Sequence, residues 1–208
     1  MDYIIVVLVG LIGASLINIY VDFENRYRPY YKWCRELYYK NISHMAVSIL
    51  LPILYLLLYK GYGATMEFVK YSLLLAVLSA ASIKDLQSKT IPNKLVIFGL
   101  ITGVALAVIR LDANVLINCV LGLIAAGGVL GLVNFVTKGG IGMGDIKLFA
   151  CAGVFLGLSK VMSAMLVSIV ASGIFGAILL IFRLSSRKGT IPFAPFVLAG
   201  AILSVLYS

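Results

Sequence analysis

"GLIAAGGVLGLVNFVTKGGIGMGDIKLFA", from Gly122 to Ala150, consists of two apolar runs joined by a glycine-rich turn. Neither run shows the alternation of polar and apolar residues that a membrane β-strand needs. Small residues let membrane helices approach closely, and the first run contains four glycines: Gly122, Gly127, Gly128 and Gly131. The stretch therefore favours helices packed against each other within a membrane.

The rest of the chain is equally apolar. Of its 208 residues 62% are hydrophobic, and the mean hydropathy is +1.08, well above the value of a soluble domain. A spanning helix needs about 20 residues. The apolar runs predict eight helices, near residues 3–20, 44–59, 66–84, 93–110, 113–136, 145–159, 160–183 and 190–207. We predict an all-α, polytopic membrane helical bundle that forms one domain over 1–208, with a short cytoplasmic loop at 21–43.

The lysines and arginines predict the orientation, because short basic loops stay on the cytoplasmic side. With eight helices, the loops after the first, third, fifth and seventh share one side and hold thirteen of the seventeen basic residues. The other side holds Lys60, Lys70, Arg110 and Lys160. Both termini are thus predicted to be non-cytoplasmic. Basic residues spread over four short loops form no groove for nucleic acid, so they indicate topology and attraction to membrane lipid.

Two of the eight acidic residues fall at the cytoplasmic membrane boundary outside the long loop. Asp85 closes the third predicted helix, and Asp145 opens the sixth. Ionisable groups at that depth are costly, and they indicate a functional site by default.

Each residue near these two acids also has a structural interpretation. Asp145 could be a helix N-cap, and Asp85 could pair with Lys84 or Lys89 at the interface. Pro92 breaks a helix, and Thr90 or Asn93 could cap the next one. Lys147 could extend to the interface.

Considered together, the stretches that contain Asp85 and Asp145 favour a functional interpretation. "D-x5-IPN" from Asp85 to Asn93 and "GMGDIKL" from Gly142 to Leu148 occur in order on one predicted face. This pattern resembles the type IV prepilin peptidases, the membrane aspartic proteases with a GxGD motif. "IPFAPFVLAG" from residue 191 and "GLIGASLIN" from residue 10 resemble the last and first helices of that family, so the resemblance spans nearly the whole chain.

The resemblance implies that Asp85 and Asp145 are the catalytic pair, with Pro92, Asn93, Gly142, Gly144 and Lys147 as supporting motif residues. The implied reaction removes the leader peptide of a prepilin or pseudopilin precursor at the cytoplasmic face of the inner membrane. The chemistry suits two carboxyls, because one ionised group can take a proton from water while a neutral one donates to the carbonyl oxygen. Two carboxyls that share a proton supply both forms and titrate as a unit.

The sequence departs from the family in the first loop, where many members carry two CxxC pairs that bind zinc. Here that loop contains only Cys34, while Cys119 and Cys151 lie in apolar helices. No metal site and no cofactor for proteolysis are therefore expected. S-adenosylmethionine is the cofactor that the resemblance implies for N-methylation of the new amino terminus, and the missing cysteines leave that second step open.

Other functions remain to be distinguished. A preflagellin-type peptidase would share the chemistry and differ in substrate. A transporter would use paired aspartates for cations or protons, but its carboxylates belong near the membrane midplane. A non-catalytic scaffold would tolerate the loss of either aspartate.

The distribution of basic residues predicts the outcome of reporter fusions. Fusions at residues 40, 89, 139 and 187 should report a cytoplasmic location, whereas fusions at 62, 112 and the C-terminus should not. A non-cytoplasmic signal at residue 89 or 139 would contradict a cytoplasmic site for the two aspartates.

Overall fold

The chain, described here by a computed structural model over residues 2–25, 33–182 and 191–207, is all-helical in those ranges. Side chains are described over 2–24, 42–182 and 191–207. The helices are α1 (Asp2–Asn25), α2 (Trp33–Tyr62), α3 (Met66–Ser88), α4 (Asn93–Ile109), α5 (Ala113–Val136), α6 (Met143–Ile181) and α7 (Ala194–Leu206). Five of them, α1, α2, α3, α5 and α6, are long and apolar enough to cross a membrane. The prediction of a polytopic helical membrane bundle is confirmed.

Helix α6 changes direction at Gly157, which has φ 72° and ψ −178°. This backbone region is essentially restricted to glycine. The arm before Gly157 packs antiparallel to α5, where Ala150 lies beside Gly127 and Gly153 beside Gly122. The arm after it packs antiparallel to α7, where the Ser168 hydroxyl donates a 2.9 Å hydrogen bond to the Phe196 carbonyl. The two arms correspond to the predicted sixth and seventh helices, with the break two residues earlier than expected.

Successive helical segments therefore run in alternating directions between two ends of the bundle. We call the end that holds Asp85 and Asp145 the aspartate end, and the opposite one the far end. At the aspartate end, the Gln87 side-chain amide donates to the Ser43 hydroxyl at 3.2 Å. At the far end, the Tyr62 hydroxyl donates to the Val205 carbonyl at 2.8 Å. This alternation matches the one that the basic residues predict.

The loop predicted over 21–43 is shorter than expected. Helix α1 continues to Asn25, and α2 already begins at Trp33. The residues that the two helices take from the predicted loop include all of its acidic residues and some of its basic ones, but neither proline nor glycine. Polarity marks where a helix leaves the apolar phase, whereas proline or glycine is what usually ends one.

Helix α3 lies at the centre of the bundle and contacts α1, α2, α4, α6 and α7. Its side chains Leu74, Leu75, Leu78 and Ala81 are almost completely buried. A polar residue on the inner face of α3 is therefore surrounded by several other helices. Asp85 is such a residue.

The closest backbone approach between α5 and α6 occurs at Gly122 and Gly153. A Cβ atom on Gly122 would overlap the Gly153 carbonyl oxygen, which is a backbone atom and cannot rotate away. Gly127 also faces α6. Cβ atoms on Gly128 and Gly131, in contrast, would have no neighbour within 4 Å. Two of the four glycines that the sequence indicated thus lie at this helix contact.

Replacing Gly122 with alanine should force α5 and α6 apart. We expect Gly122→Ala to lose about 1–3 kcal/mol of stability through overpacking. The matched variant Gly128→Ala should be as stable as the unmodified protein, because its new methyl group meets open space. Thermal unfolding of the purified proteins in detergent measures both, and equal transition temperatures would contradict the described contact.

Candidate active site

Asp85 lies on α3, three residues before the helix ends at Ser88, and its side chain is 6% exposed. Its Oδ2 atom accepts a 2.9 Å hydrogen bond from the backbone N–H of Ala194. The first amides of a helix have no partner inside it. Asp85 thus supplies an acceptor to the start of α7, which an aspartate exposed at the interface would not do.

The turn after Asp85 leads directly into the proline motif. Lys89 adopts a left-handed conformation (φ 51°, ψ 34°), and its N–H closes α3 by donating to the Asp85 carbonyl at 2.8 Å. Pro92 then occupies the N-cap position of α4, and Asn93 is the first residue of that helix. Proline suits a helix start because it lacks an N–H that would otherwise be unsatisfied. The alternative interpretation, in which Thr90 or Asn93 caps α4, is wrong.

Asp145 is the third residue of α6 and is half-buried. The N-cap position belongs to Gly142, so the interpretation of Asp145 as the cap is wrong as well. A Cβ atom on Gly142 would lie 2.9 Å from Asp145 Oδ2, which shows that the carboxyl folds back over the glycine. The absence of a side chain at position 142 makes this arrangement possible.

The two motifs are in contact. A Cβ atom on Gly144 would lie 3.3 Å from the Cβ of Ile91, so the second glycine of the GxGD motif packs against the IPN turn. The Lys147 ammonium donates a 3.1 Å hydrogen bond to the Asn93 side-chain oxygen. These contacts join the start of α6 to the start of α4.

The same arrangement brings the two carboxyls into one site. Asp85 and Asp145 are close enough for their charges to interact. The rings of Phe149 and Phe193, 5.8 Å apart, connect the first arm of α6 to the segment that holds Asp85. Three chain segments distant in sequence therefore converge at the aspartate end.

Comparison with known proteins agrees with this geometry. The sequence model of the type IV leader peptidase family matches residues 72–181, which include both aspartates and both motifs. The chain belongs to the type IV leader peptidase family. The resemblance noted in the sequence is thereby confirmed.

Two bacterial members of the type IV leader peptidase family are similar to most of this chain. A protein of Bacillus subtilis is 32% identical over 149 residues, which cover 70% of this chain and 58% of that protein. One of Legionella pneumophila is 28% identical over 172 residues, or 80% and 60% of the two chains. Both are named prepilin leader peptidase/N-methyltransferase, and this chain matches less than two thirds of either. No solved structure gives a significant match.

The zinc site found in many type IV leader peptidases does not fit the residues described here. Among them, no three histidine, cysteine, aspartate or glutamate side chains are grouped closely enough to hold a metal ion. Cys119 and Cys151 are buried thiols without a disulfide partner. The side chain of Cys34 lies outside the described residues.

Sequence reasoning identified both carboxyls of this candidate site but not the groups that hold Asp85. The Ala194 amide that holds Asp85 belongs to the backbone, so no residue type reveals it. The only sequence feature that indicated a helix start near this amide was the pair Pro192 and Pro195 in "IPFAPF".

The contact between the two motifs can be tested by cross-linking. In a background where Cys34, Cys119 and Cys151 are replaced by alanine, the pair Ile91→Cys and Gly144→Cys should form a disulfide on mild oxidation. The Cβ atoms at positions 91 and 144 would be about 3.3 Å apart, which is near the Cβ–Cβ distance of a disulfide. The control pair Ile91→Cys and Gly128→Cys should keep two thiols that react with maleimide. Equal maleimide labelling of both pairs would contradict the contact.

Proposed function

We propose that this chain is a membrane aspartic endopeptidase that removes the leader peptide of type IV prepilin-like precursors. The observation that carries the proposal is the convergence of Asp85 and Asp145, from separate helices, at one end of the bundle. Membership of the type IV leader peptidase family and the names of the two relatives support it.

The proposed reaction uses the two carboxyls as a pair. One takes a proton from a water molecule that attacks the scissile carbonyl carbon, and the other donates a proton to the carbonyl oxygen. Two carboxyls held close together share one proton because both cannot readily ionise, which supplies the acid and the base at once. We assign neither role to one residue, because such a pair titrates as a unit.

The surrounding residues hold the pair in place. The Ala194 amide fixes one oxygen of Asp85, so this carboxyl has little freedom to rotate. Asp145 lies in the first turn of α6, where the helix dipole favours a negative charge. Gly142 leaves room beside Oδ2 of Asp145. We propose supporting roles for Gly144, Pro92, Asn93 and Lys147, because they join the turn after Asp85 to the start of α6.

Both aspartates lie within a turn of a helix end. A peptide bond next to a hydrophobic transmembrane segment emerges from the lipid at this depth. We propose that this end faces the cytoplasm, in the inner membrane, with both termini on the other side, because basic loops remain cytoplasmic. The substrates would then be prepilin or pseudopilin precursors whose leaders extend into the cytoplasm.

The proposal is limited to hydrolysis. No metal takes part in the proposed step, since the two carboxyls suffice for it. Two cavities, of about 380 and 370 Å³, lie at the far end, away from the aspartates. S-adenosylmethionine would be the cofactor of a second, N-methylation step, and we assign no residues to it.

The main test is replacement of each aspartate with asparagine. We expect Asp85→Asn and Asp145→Asn each to lower leader cleavage by roughly 10²–10⁴-fold, because an amide neither accepts nor releases the proton. Both proteins should fold, since asparagine retains an oxygen that can accept the Ala194 hydrogen bond. Cleavage of a purified prepilin, followed by mass spectrometry, measures the effect.

Matched controls separate catalysis from the loss of any acidic group. Glu24→Gln and Asp112→Asn should cleave normally, because Glu24 lies outside the site and Asp112 caps α5 at the far end. The same assay with a preflagellin precursor compares the two substrate classes. Near-normal cleavage by either asparagine variant, at matched expression, would refute the aspartic-protease mechanism and favour a transporter or scaffold.

A further inference from the structure

The far end contains a cavity of about 370 Å³ that plays no part in the proposed hydrolysis. The end of α2, helix α3, the segment after α4, helix α5 and the turn of α6 line it. Its polar lining includes Tyr62, Glu67, Lys70, Tyr71, Arg110 and Lys160. It is thus a half-open pocket with mixed polar and apolar lining at the end of the bundle away from the aspartates.

The positive charge of this cavity is unusual for its side of the protein. The predicted topology leaves only four basic residues there, and three of them, Lys70, Arg110 and Lys160, line the same cavity. A single lining carboxylate, that of Glu67, forms ion pairs with both Lys70 and Arg110. One negative charge against three positive ones leaves a surplus of two.

Lys160 is held in position without being neutralised. Its ammonium donates hydrogen bonds to the hydroxyls of Tyr62, at 3.2 Å, and Tyr71, at 3.1 Å. It also lies 4.8 Å from the centre of the Tyr71 ring, a favourable cation–π distance. Within the described ranges, no carboxylate lies at ion-pair distance from Lys160. Two of its three N–H donors are thus occupied by neutral oxygens, and its charge is left for another anion.

The other residues that line the cavity indicate which kind of chemical group is attached to the anion. Val115, Phe155 and Leu156 form an apolar side of the cavity. The Asn118 side-chain oxygen accepts a hydrogen bond from the Leu158 amide, so the NH₂ group of Asn118 remains as a further donor in the lining. Cations and an amide donor suit phosphate oxygens, and the apolar side suits a hydrocarbon attached to the phosphate.

We propose that this cavity binds a phosphate group, supplied by an anionic lipid headgroup or by a soluble phosphate ester, between Lys160, Arg110 and Lys70. The proposal is independent of the leader-peptidase function. It assigns a binding role to the three cations that the predicted topology leaves unexplained.

Lipid binding to the full chain tests the proposal. Native mass spectrometry of the detergent-purified protein, incubated with equal amounts of phosphatidylglycerol and phosphatidylcholine, should show about fivefold more bound phosphatidylglycerol for each cation that engages the headgroup. Lys160→Met should lower phosphatidylglycerol occupancy about fivefold. The control Lys60→Met removes the same charge from the same end but outside this cavity, and should change nothing.

A second variant and a competitor complete the experiment. Arg110→Gln should cause a similar loss, which keeps the test valid if Lys160→Met proves unstable in thermal unfolding. Displacement of phosphatidylglycerol by millimolar inorganic phosphate would identify a soluble phosphate ester as the ligand, and its retention would identify the lipid. Equal binding of the two lipids, or equal occupancy in the Lys160 and Lys60 variants, would overturn the proposal.

Discussion

The hydrogen bond from the Ala194 amide to the Asp85 carboxylate joins the central helix of the bundle to its last one. The start of α7 is buried, so its first amides need acceptors within the protein. The buried carboxylate likewise needs donors to offset its desolvation. Each group meets the requirement of the other, so the start of α7 and the orientation of Asp85 depend on one contact.

Several other features follow from that connection. Once α7 begins beside Asp85, the ring of Phe193 contacts Phe149 on the first arm of α6. That arm begins with Gly142 and Asp145, and its second glycine packs on the turn after Asp85. These contacts link α3 to the start of α7, that segment to α6, and α6 to the turn after α3. Helix α7 thus contacts both of the helices that carry the two carboxyls.

Residue types and their order along the chain were sufficient to predict the helices, their alternation and the two carboxyls. Apolar runs indicate spans, and the short basic loops separate the two ends. The break was expected between residues 159 and 160, but it occurs at Gly157, because the turn needs a backbone conformation that glycine adopts readily. Neither the Ala194 amide nor the packing of Gly144 on Ile91 could be predicted, since both depend on how distant segments meet. The cluster of Tyr62, Tyr71 and Lys160 was missed for the same reason.

The lengths of the helices have a consequence for the lipid bilayer. The first arm of α6 and the thirteen residues of α7 each extend only about 20 Å, whereas the hydrocarbon layer is about 30 Å thick. Both are largely enclosed by other helices, so the bilayer cannot thin around them to remove this mismatch. The two far-end cavities include the last residues of these short segments, Leu156 and Gly157 in one and Val205 and Leu206 in the other, and both are large enough for water. At these two segments the protein is therefore shorter than the hydrocarbon layer, and water in the adjoining far-end cavity can hydrate Lys160 at a depth where a lipid-facing lysine would be strongly disfavoured.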